Sequence, residues 1–131
     1  MISKAPSNLY FGPYSDKRVA ALHIKQRDRN MFFTITDLTG AVITSTSAKI
    51  FAADRKKRFA PHIVELATKQ LALILKAYRI YTVRLFIKIS KKFLVLSAAR
   101  TLRSYNIRVP FAMDLISVPH NGCRKKKRRR L

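Results

Sequence analysis

The sequence ends in an unbroken run of seven cations, Arg124 to Arg130, directly after the residues PHNGC. Such a run cannot be buried, because each desolvated ammonium or guanidinium group would need an anionic partner. The chain has 28 lysine and arginine residues against 6 aspartate and glutamate residues, a formal net charge of +22. It must therefore fold with a large positive surface that is balanced by anions from another molecule.

The size and charge of the chain indicate one globular domain with a polyanionic partner. Its 131 residues are 48% hydrophobic, which is enough to bury a core. Nucleic acid is the leading candidate, since a polyanion relieves the self-repulsion of so basic a domain. A membrane is not expected, because the apolar stretch from Ile80 to Leu102 contains five cations, and the cationic tail has no apolar residue before Leu131.

The amino-terminal half predicts an antiparallel meander of three strands. Arg18 to Lys25 is short and apolar, and Met31 to Thr36 is rich in aromatic and β-branched side chains. The turn sequence DLTG, Asp37 to Gly40, then leads into a third strand, AVITST.

Two helices and two further strands are predicted after a cationic loop. A helix from Pro61 to Arg79 begins with a proline that favours the first turn. A strand at Thr82 to Lys88, a helix at about Phe93 to Tyr105 and a strand over residues 108–119 follow. The order βββαβαβ predicts a single α/β domain with a mixed sheet covered by helices. The side of the first helix expected to be buried carries Ile63, Leu66, Ala67, Leu71, Ile74, Leu75 and Tyr78.

Three parts of the chain follow from these patterns. Residues 1–16 are expected to form an irregular arm, residues 17–118 the α/β domain, and residues 119–131 a turn with a basic tail.

The sequence predicts neither catalysis nor metal binding. Two-metal nucleases cluster carboxylates around ions about 3.5 to 4 Å apart, whereas the six carboxylates here are scattered along the chain. His120 and Cys123 are three residues apart, but a structural zinc site needs four ligands and there is no second cysteine. We therefore expect no catalytic residue, metal, cofactor or small-molecule substrate.

Two basic clusters join the tail as candidate phosphate contacts. Arg55 to Arg58 precede a predicted helix amino terminus, and KISKK, Lys88 to Lys92, lies between a strand and a helix. Each cluster alone is equally well explained as a solvated charged loop. Together with the tail, they predict a distributed surface that contacts phosphates.

The residues ISVPHNGCR followed by a basic end resemble the carboxyl-terminal signature of the universal small-subunit ribosomal protein eleven family. The likeness extends upstream in the family's order and spacing, through ALHI, TITDLTG, the FA before the long helix, and RLFIK. It covers roughly residues 19–131, and PHNGCR is its most specific part.

The resemblance implies a ribonuclease-H-like topology used as a non-catalytic scaffold on the platform of the small ribosomal subunit. The protein would bind ribosomal RNA near the messenger exit, contact neighbouring platform proteins, and support translation and subunit assembly. The RNA-binding residues expected from the resemblance and the charge pattern are Arg55, Lys56, Lys57, Arg58, Lys88, Lys91, Lys92, His120, Asn121, Gly122, Arg124, Lys125, Lys126, Lys127, Arg128, Arg129 and Arg130.

Three departures from the family's pattern bear on where such a protein works. Ala52 and Ala53 stand where the family has glycine, ISKKF replaces a Gly-Pro run, and Lys125 and Lys126 replace two prolines. Conserving the ends while losing glycines suggests an organellar ribosome; a mitochondrial one is expected and a plastid one is the alternative.

Two other classes of function are compatible with the charge of the chain. A DNA-compacting protein would use the basic tail equally well and would prefer duplex DNA. A metal-dependent nuclease would cleave nucleic acid only when divalent ions are present, and replacing one aspartate would reduce cleavage.

Overall fold

The computed structural model describes residues 19–131, so the predicted irregular arm, residues 1–16, lies outside the described residues. Five strands form one mixed sheet in the order β3-β2-β1-β4-β5. β2 is antiparallel to β1 and β3, whereas β4 is parallel to β1 and β5. This confirms the predicted mixed sheet. The strands are β1 (Val19–Arg27), β2 (Asn30–Thr36), β3 (Val42–Ser47), β4 (Thr82–Lys88) and β5 (Ala112–Asp114).

Two tight turns join the first three strands, as predicted. Asp28 adopts a left-handed conformation, with φ of 53°, between β1 and β2. In the second turn the Asp37 carboxylate accepts hydrogen bonds from the Leu38 amide at 2.6 Å and the Thr39 hydroxyl at 3.3 Å. Gly40 closes that turn with φ of 94°, which glycine adopts without a steric penalty.

Three helices connect or follow the later strands: α1 (Ala48–Phe51), α2 (Pro61–Ala77) and α3 (Lys92–Ser104). α2 and α3 match the predicted helices to within two residues. α1 and a 3₁₀ turn at Lys57–Phe59 lie in the segment that was predicted only as a cationic loop. Of the helices in the described part of the chain, none is long and apolar enough to cross a membrane.

The buried side of α2 differs from the predicted one. Leu66 was expected to be buried and is 46% exposed, so that prediction is wrong. The helix packs against both the sheet and α3, and its buried arc is therefore shifted toward Val64, Thr68 and Ala72. The Thr68 hydroxyl donates to the Val64 carbonyl at 2.7 Å, which satisfies this polar group inside the core.

The last strand is much shorter than the predicted residues 108–119. Arg108 pairs with Thr82 in an isolated bridge, and the regular ladder beside β4 covers only β5. Pro110 lies between the two pairings, and its missing amide donor interrupts the ladder. Beyond β5, the Leu115 amide still donates to the Ile87 carbonyl at 2.8 Å before the chain leaves the sheet.

Both long helices pack on the same face of the sheet. The crossovers from β3 through α2 to β4 and from β4 through α3 to β5 connect parallel strands, and such connections are right-handed. One continuous core results between the sheet and these helices, which agrees with the predicted sheet covered by helices. The core includes Leu22, Ile24, Met31, Phe33, Ile35, Leu71, Leu75, Val83, Leu85, Leu94, Ala98 and Leu102.

Phe32 and Phe33 are neighbours on β2 and point to opposite faces of the sheet, so substituting each one tests which face is the core. Phe33 is fully buried and Phe32 is 41% exposed. Phe33→Ala is expected to lower the free energy of unfolding by about 3 to 5 kcal/mol, because it removes buried area and leaves a cavity. Phe32→Ala should change it by about 0.5 kcal/mol or less. Chemical denaturation followed by circular dichroism measures both values, and equal losses would contradict this assignment of faces.

Candidate nucleic-acid interface

The sheet topology brings cationic segments that are distant in sequence to one edge. β1, β3, β4 and β5 all run in the same direction, so their carboxyl ends lie at the same edge of the sheet. The Arg55 to Arg58 segment follows β3, Lys88 to Lys92 spans the end of β4 and the start of α3, and the tail follows β5. All three predicted clusters therefore start from this edge.

The hairpin between β1 and β2 adds cations that the sequence reasoning missed. Lys25, Arg27 and Arg29 lie at the same edge and are exposed. The signal for them in the sequence is KQRDR, in which cations alternate with other polar residues through the predicted turn. Lys25 pairs in register with Lys88 on β4, so the two cations are neighbours across the parallel ladder. We call the exposed surface of this edge the cationic edge: Lys25, Arg27, Arg29, Arg55, Lys56, Lys57, Lys88, Lys91 and Lys92.

Side-chain contacts link the separate segments of the cationic edge. The Lys91 ammonium lies 5.1 Å from the centre of the Phe59 ring, which joins the loop after β4 to the 3₁₀ turn. The Lys92 ammonium lies 3.6 Å from the Asp114 carboxylate at the end of β5. Both members of this ion pair are substantially exposed, so its contribution to stability is small and a phosphate could compete for the lysine.

The amino termini of α2 and α3 point toward the same edge. Neither helix has a side-chain cap, and neither has an acidic residue in its first turn. No side chain at the cap residues Ala60 and Lys91 accepts a hydrogen bond from the first turn, so the positive ends of the two helix dipoles carry no side-chain cap. These positive ends add to the attraction that the side chains exert on phosphate.

Arg58 differs from the other members of its cluster, because its side chain is buried. Its Nε donates to the Ala52 carbonyl at 3.1 Å and its Nη2 donates to the Ala53 carbonyl at 2.9 Å. The residue is 8% exposed. Arg58 therefore ties together the loop that presents its three exposed neighbours, Arg55, Lys56 and Lys57.

A groove of about 290 Å³ opens at the cationic edge between the β1–β2 hairpin, the loop after β4 and the chain after β5. Its lining residues are Gln26, Asp28, Lys88, Ile89, Ser90, Ile116 and Ser117. Ile116 and Ser117 lie shortly before the turn that begins at Pro119, so the groove extends from the edge toward the start of the tail.

In the turn before the tail, Asn121 adopts a left-handed conformation, with φ of 44°. Gly122 does not take a positive φ, so the turn depends on asparagine, which tolerates this conformation better than most residues. Every residue from Pro110 to Leu131 is exposed, including His120 and the seven tail cations. Their charges are thus available to another molecule.

The described residues contain no group of three or more histidine, cysteine, aspartate or glutamate side chains that could hold a metal ion. Cys123 is exposed and carries a free thiol. Asp28 and Asp37 lie in turns at opposite ends of the sheet, and Asp54 accepts a hydrogen bond from the Lys56 amide at 3.2 Å.

Arg58 is expected to contribute to stability, whereas the exposed Arg55 is not. Arg58→Ala should lower the free energy of unfolding by on the order of 2 to 3 kcal/mol, because two carbonyl acceptors lose a charged donor. Arg55→Ala should leave stability nearly unchanged, since the side chain is exposed. Thermal and denaturant unfolding of both variants gives the comparison. Equal stability of Arg58→Ala and the wild type would contradict the structural role of Arg58.

Comparison with known proteins adds two findings. The sequence model of the family described as ribosomal protein S11 matches residues 20–130. The chain is also similar to the small ribosomal subunit protein uS11c of Cyanidioschyzon merolae, with 28% identity over 117 residues, covering 87% of this chain and 93% of that protein.

Proposed function

Because the chain belongs to the ribosomal protein S11 family, we propose that it binds ribosomal RNA on the platform of an organellar small ribosomal subunit. The cationic edge and the tail contact phosphates there, and neighbouring platform proteins are further partners. The relative from Cyanidioschyzon merolae is a small-subunit protein by name, which supports a structural role in that subunit.

The observation that carries this proposal is the convergence of separate cationic segments on one edge of the sheet. A solvated charged loop needs no such arrangement, whereas an extended RNA backbone is contacted best by cations spread along one surface. The exposed cations of the edge outnumber its described carboxylates, Asp28, Asp54 and Asp114, and two uncapped helix amino termini add positive potential.

A non-catalytic role agrees with how the described carboxylates are used. Asp37 and Asp54 accept hydrogen bonds from their own turns, and Asp114 pairs with Lys92. None of the three is in a cluster suited to metal-assisted hydrolysis. The protein acts by neutralising phosphates and holding RNA segments in place during assembly.

The mitochondrial ribosome is the setting we propose, with the plastid ribosome as the alternative. Support comes from two features taken together: the PHNGCR motif is present, and Ala52 and Ala53 replace the glycines of the family's pattern. In the structure the carbonyls of these two alanines accept hydrogen bonds from the Arg58 side chain. The buried Arg58 guanidinium thus organises this loop from within the protein.

Salt dependence of RNA binding tests the proposed function. The full-length protein, a variant lacking residues 124–131, and Arg55→Ser/Lys56→Ser/Lys57→Ser are titrated with a platform RNA fragment at several salt concentrations. Each lost phosphate contact should reduce the slope of log affinity against log salt by about 0.7 to 0.9. We expect the truncated protein to lose several such contacts, and the triple variant up to three.

A matched control removes three exposed cations from the helices instead: Lys69→Ser/Arg100→Ser/Arg103→Ser. Its net charge equals that of the edge variant, so an equal loss of slope in both would mean that only total charge matters. Tighter binding of wild-type protein to duplex DNA than to the platform RNA would favour the DNA-compacting alternative. Equal slopes for the wild type, the truncated protein and the edge variant would overturn the proposal.

A further inference from the structure

The face of the sheet opposite the helices is left uncovered by the described residues. His23 on β1, Phe32 on β2, and Arg84 and Phe86 on β4 point to this side, because they alternate with the core residues of the same strands. Phe111, just before β5, lies on it too, in contact with Arg84 and Phe86. We call this side of the sheet the open face.

Three rings on the open face contact one another, those of His23, Phe86 and Phe111, and a fourth, Phe32, lies in register with Lys25 on the neighbouring strand. The His23 and Phe86 rings are stacked, with centroids 5.0 Å apart and an interplanar angle of 14°. Phe86 meets Phe111 edge to face at 6.2 Å. Phe32 and Phe111 are 41% and 40% exposed, so their rings are partly available to another molecule. Partial burial lowers the pKa of His23, so its imidazole is mainly neutral at pH 7.

The charge on this face has one sign. Arg84 lies 5.5 Å from the centre of the Phe111 ring, and Lys25 and Lys88 occupy neighbouring positions toward the cationic edge. Asp114 is the only carboxylate in the five described strands, and it pairs in register with Ile87, whose side chain belongs to the helix-covered face. The open face therefore combines exposed aromatic rings with cations and has no acidic strand residue.

From this arrangement we propose that the open face binds a single-stranded segment of RNA, with bases stacked on Phe32 and Phe111 and phosphates at Lys25, Lys88 and Arg84. The inference rests on the proposed function and names a second contact with the same RNA. Lys25 and Lys88 belong to both surfaces, so one strand can pass from the cationic edge onto the open face without leaving positive potential.

A nucleic-acid strand fits this surface better than a protein segment does. A protein partner is favoured by a large, continuous apolar patch, whereas cations here lie directly beside the rings. Aromatic side chains on a sheet with cations around them are the arrangement that single-strand readers use, because every base has a π face. Duplex RNA, whose bases are paired and stacked internally, would not gain this contact.

Substitution of the exposed rings tests the inference. Full-length Phe32→Leu/Phe111→Leu keeps apolar side chains but removes both stacking surfaces. Its affinity for a ten-nucleotide oligouridine should fall between about 5-fold and 100-fold relative to the wild type. Its affinity for an RNA hairpin of equal phosphate number should stay unchanged, and so should the salt slope. Tyr81→Leu, an exposed aromatic at the opposite edge of the sheet, is the matched control and should bind like the wild type.

A fluorescence measurement gives a second readout. The chain has no tryptophan, so Phe32→Trp introduces a unique reporter on the open face. Stacking of a base on the indole should quench its emission when oligouridine is added, and the hairpin should leave it unchanged.

The outcomes separate this inference from the proposed function. If the wild type shows salt-dependent RNA binding but the leucine variant binds oligouridine equally well and Phe32→Trp is not quenched, the open-face inference alone is wrong. If the leucine variant binds RNA normally but no longer associates with a small-subunit protein, the face is a protein-docking surface, which also overturns it. Absence of RNA binding by the wild type would overturn both.

Discussion

The parallel ladder between β1 and β4 is the interaction on which the rest of the architecture depends. It pairs the central strand with the strand between the two long helices, over seven residue pairs from Val19–Thr82 to Lys25–Lys88. Because the ladder is parallel, the segments that follow β1 and β4 leave the sheet at the same edge. The right-handed crossovers then place both helices on one face. The cationic edge and the open face are consequences of this single pairing.

The same geometry concentrates electrostatic repulsion in one place. Cations from the hairpin, the segment after β3, the end of β4 and the tail share one side of a small domain. Only one ion pair, between Lys92 and Asp114, relieves that repulsion among the described residues. A buried core that includes Phe33, Leu71 and Leu85 holds the domain together despite it. A polyanion at the edge would remove a cost that the free protein cannot remove by itself.

Much of the fold was predictable because its signals are local. Alternation in β4, the apolar spacing of α2 and α3, and the DLTG turn each depend on residues close in sequence. The exposure of Leu66 was missed because two surfaces, the sheet and α3, determine which side of α2 is buried. The short β5 depends on how Pro110 interrupts a pairing with a distant strand.

The candidate interface was also predictable only in part. A run such as Arg55 to Arg58 predicts a positively charged segment. It does not predict that Arg58 is buried, because the carbonyls that accept its hydrogen bonds come into reach only in the folded loop. The hairpin cations and the open-face rings were missed because strand order, not local sequence, makes Lys25 a neighbour of Lys88 and His23 a neighbour of Phe86.

Sedimentation of the tagged, full-length protein in an organelle extract tests the central claim most directly. If ribosomal RNA supplies the negative charge that balances the cationic edge, the protein should migrate with small subunits at moderate salt, and rising salt should release it progressively. RNase digestion of the subunits should release it. A protein that is stably present away from small subunits, or that stays in its fraction after the RNA is digested, would contradict the account.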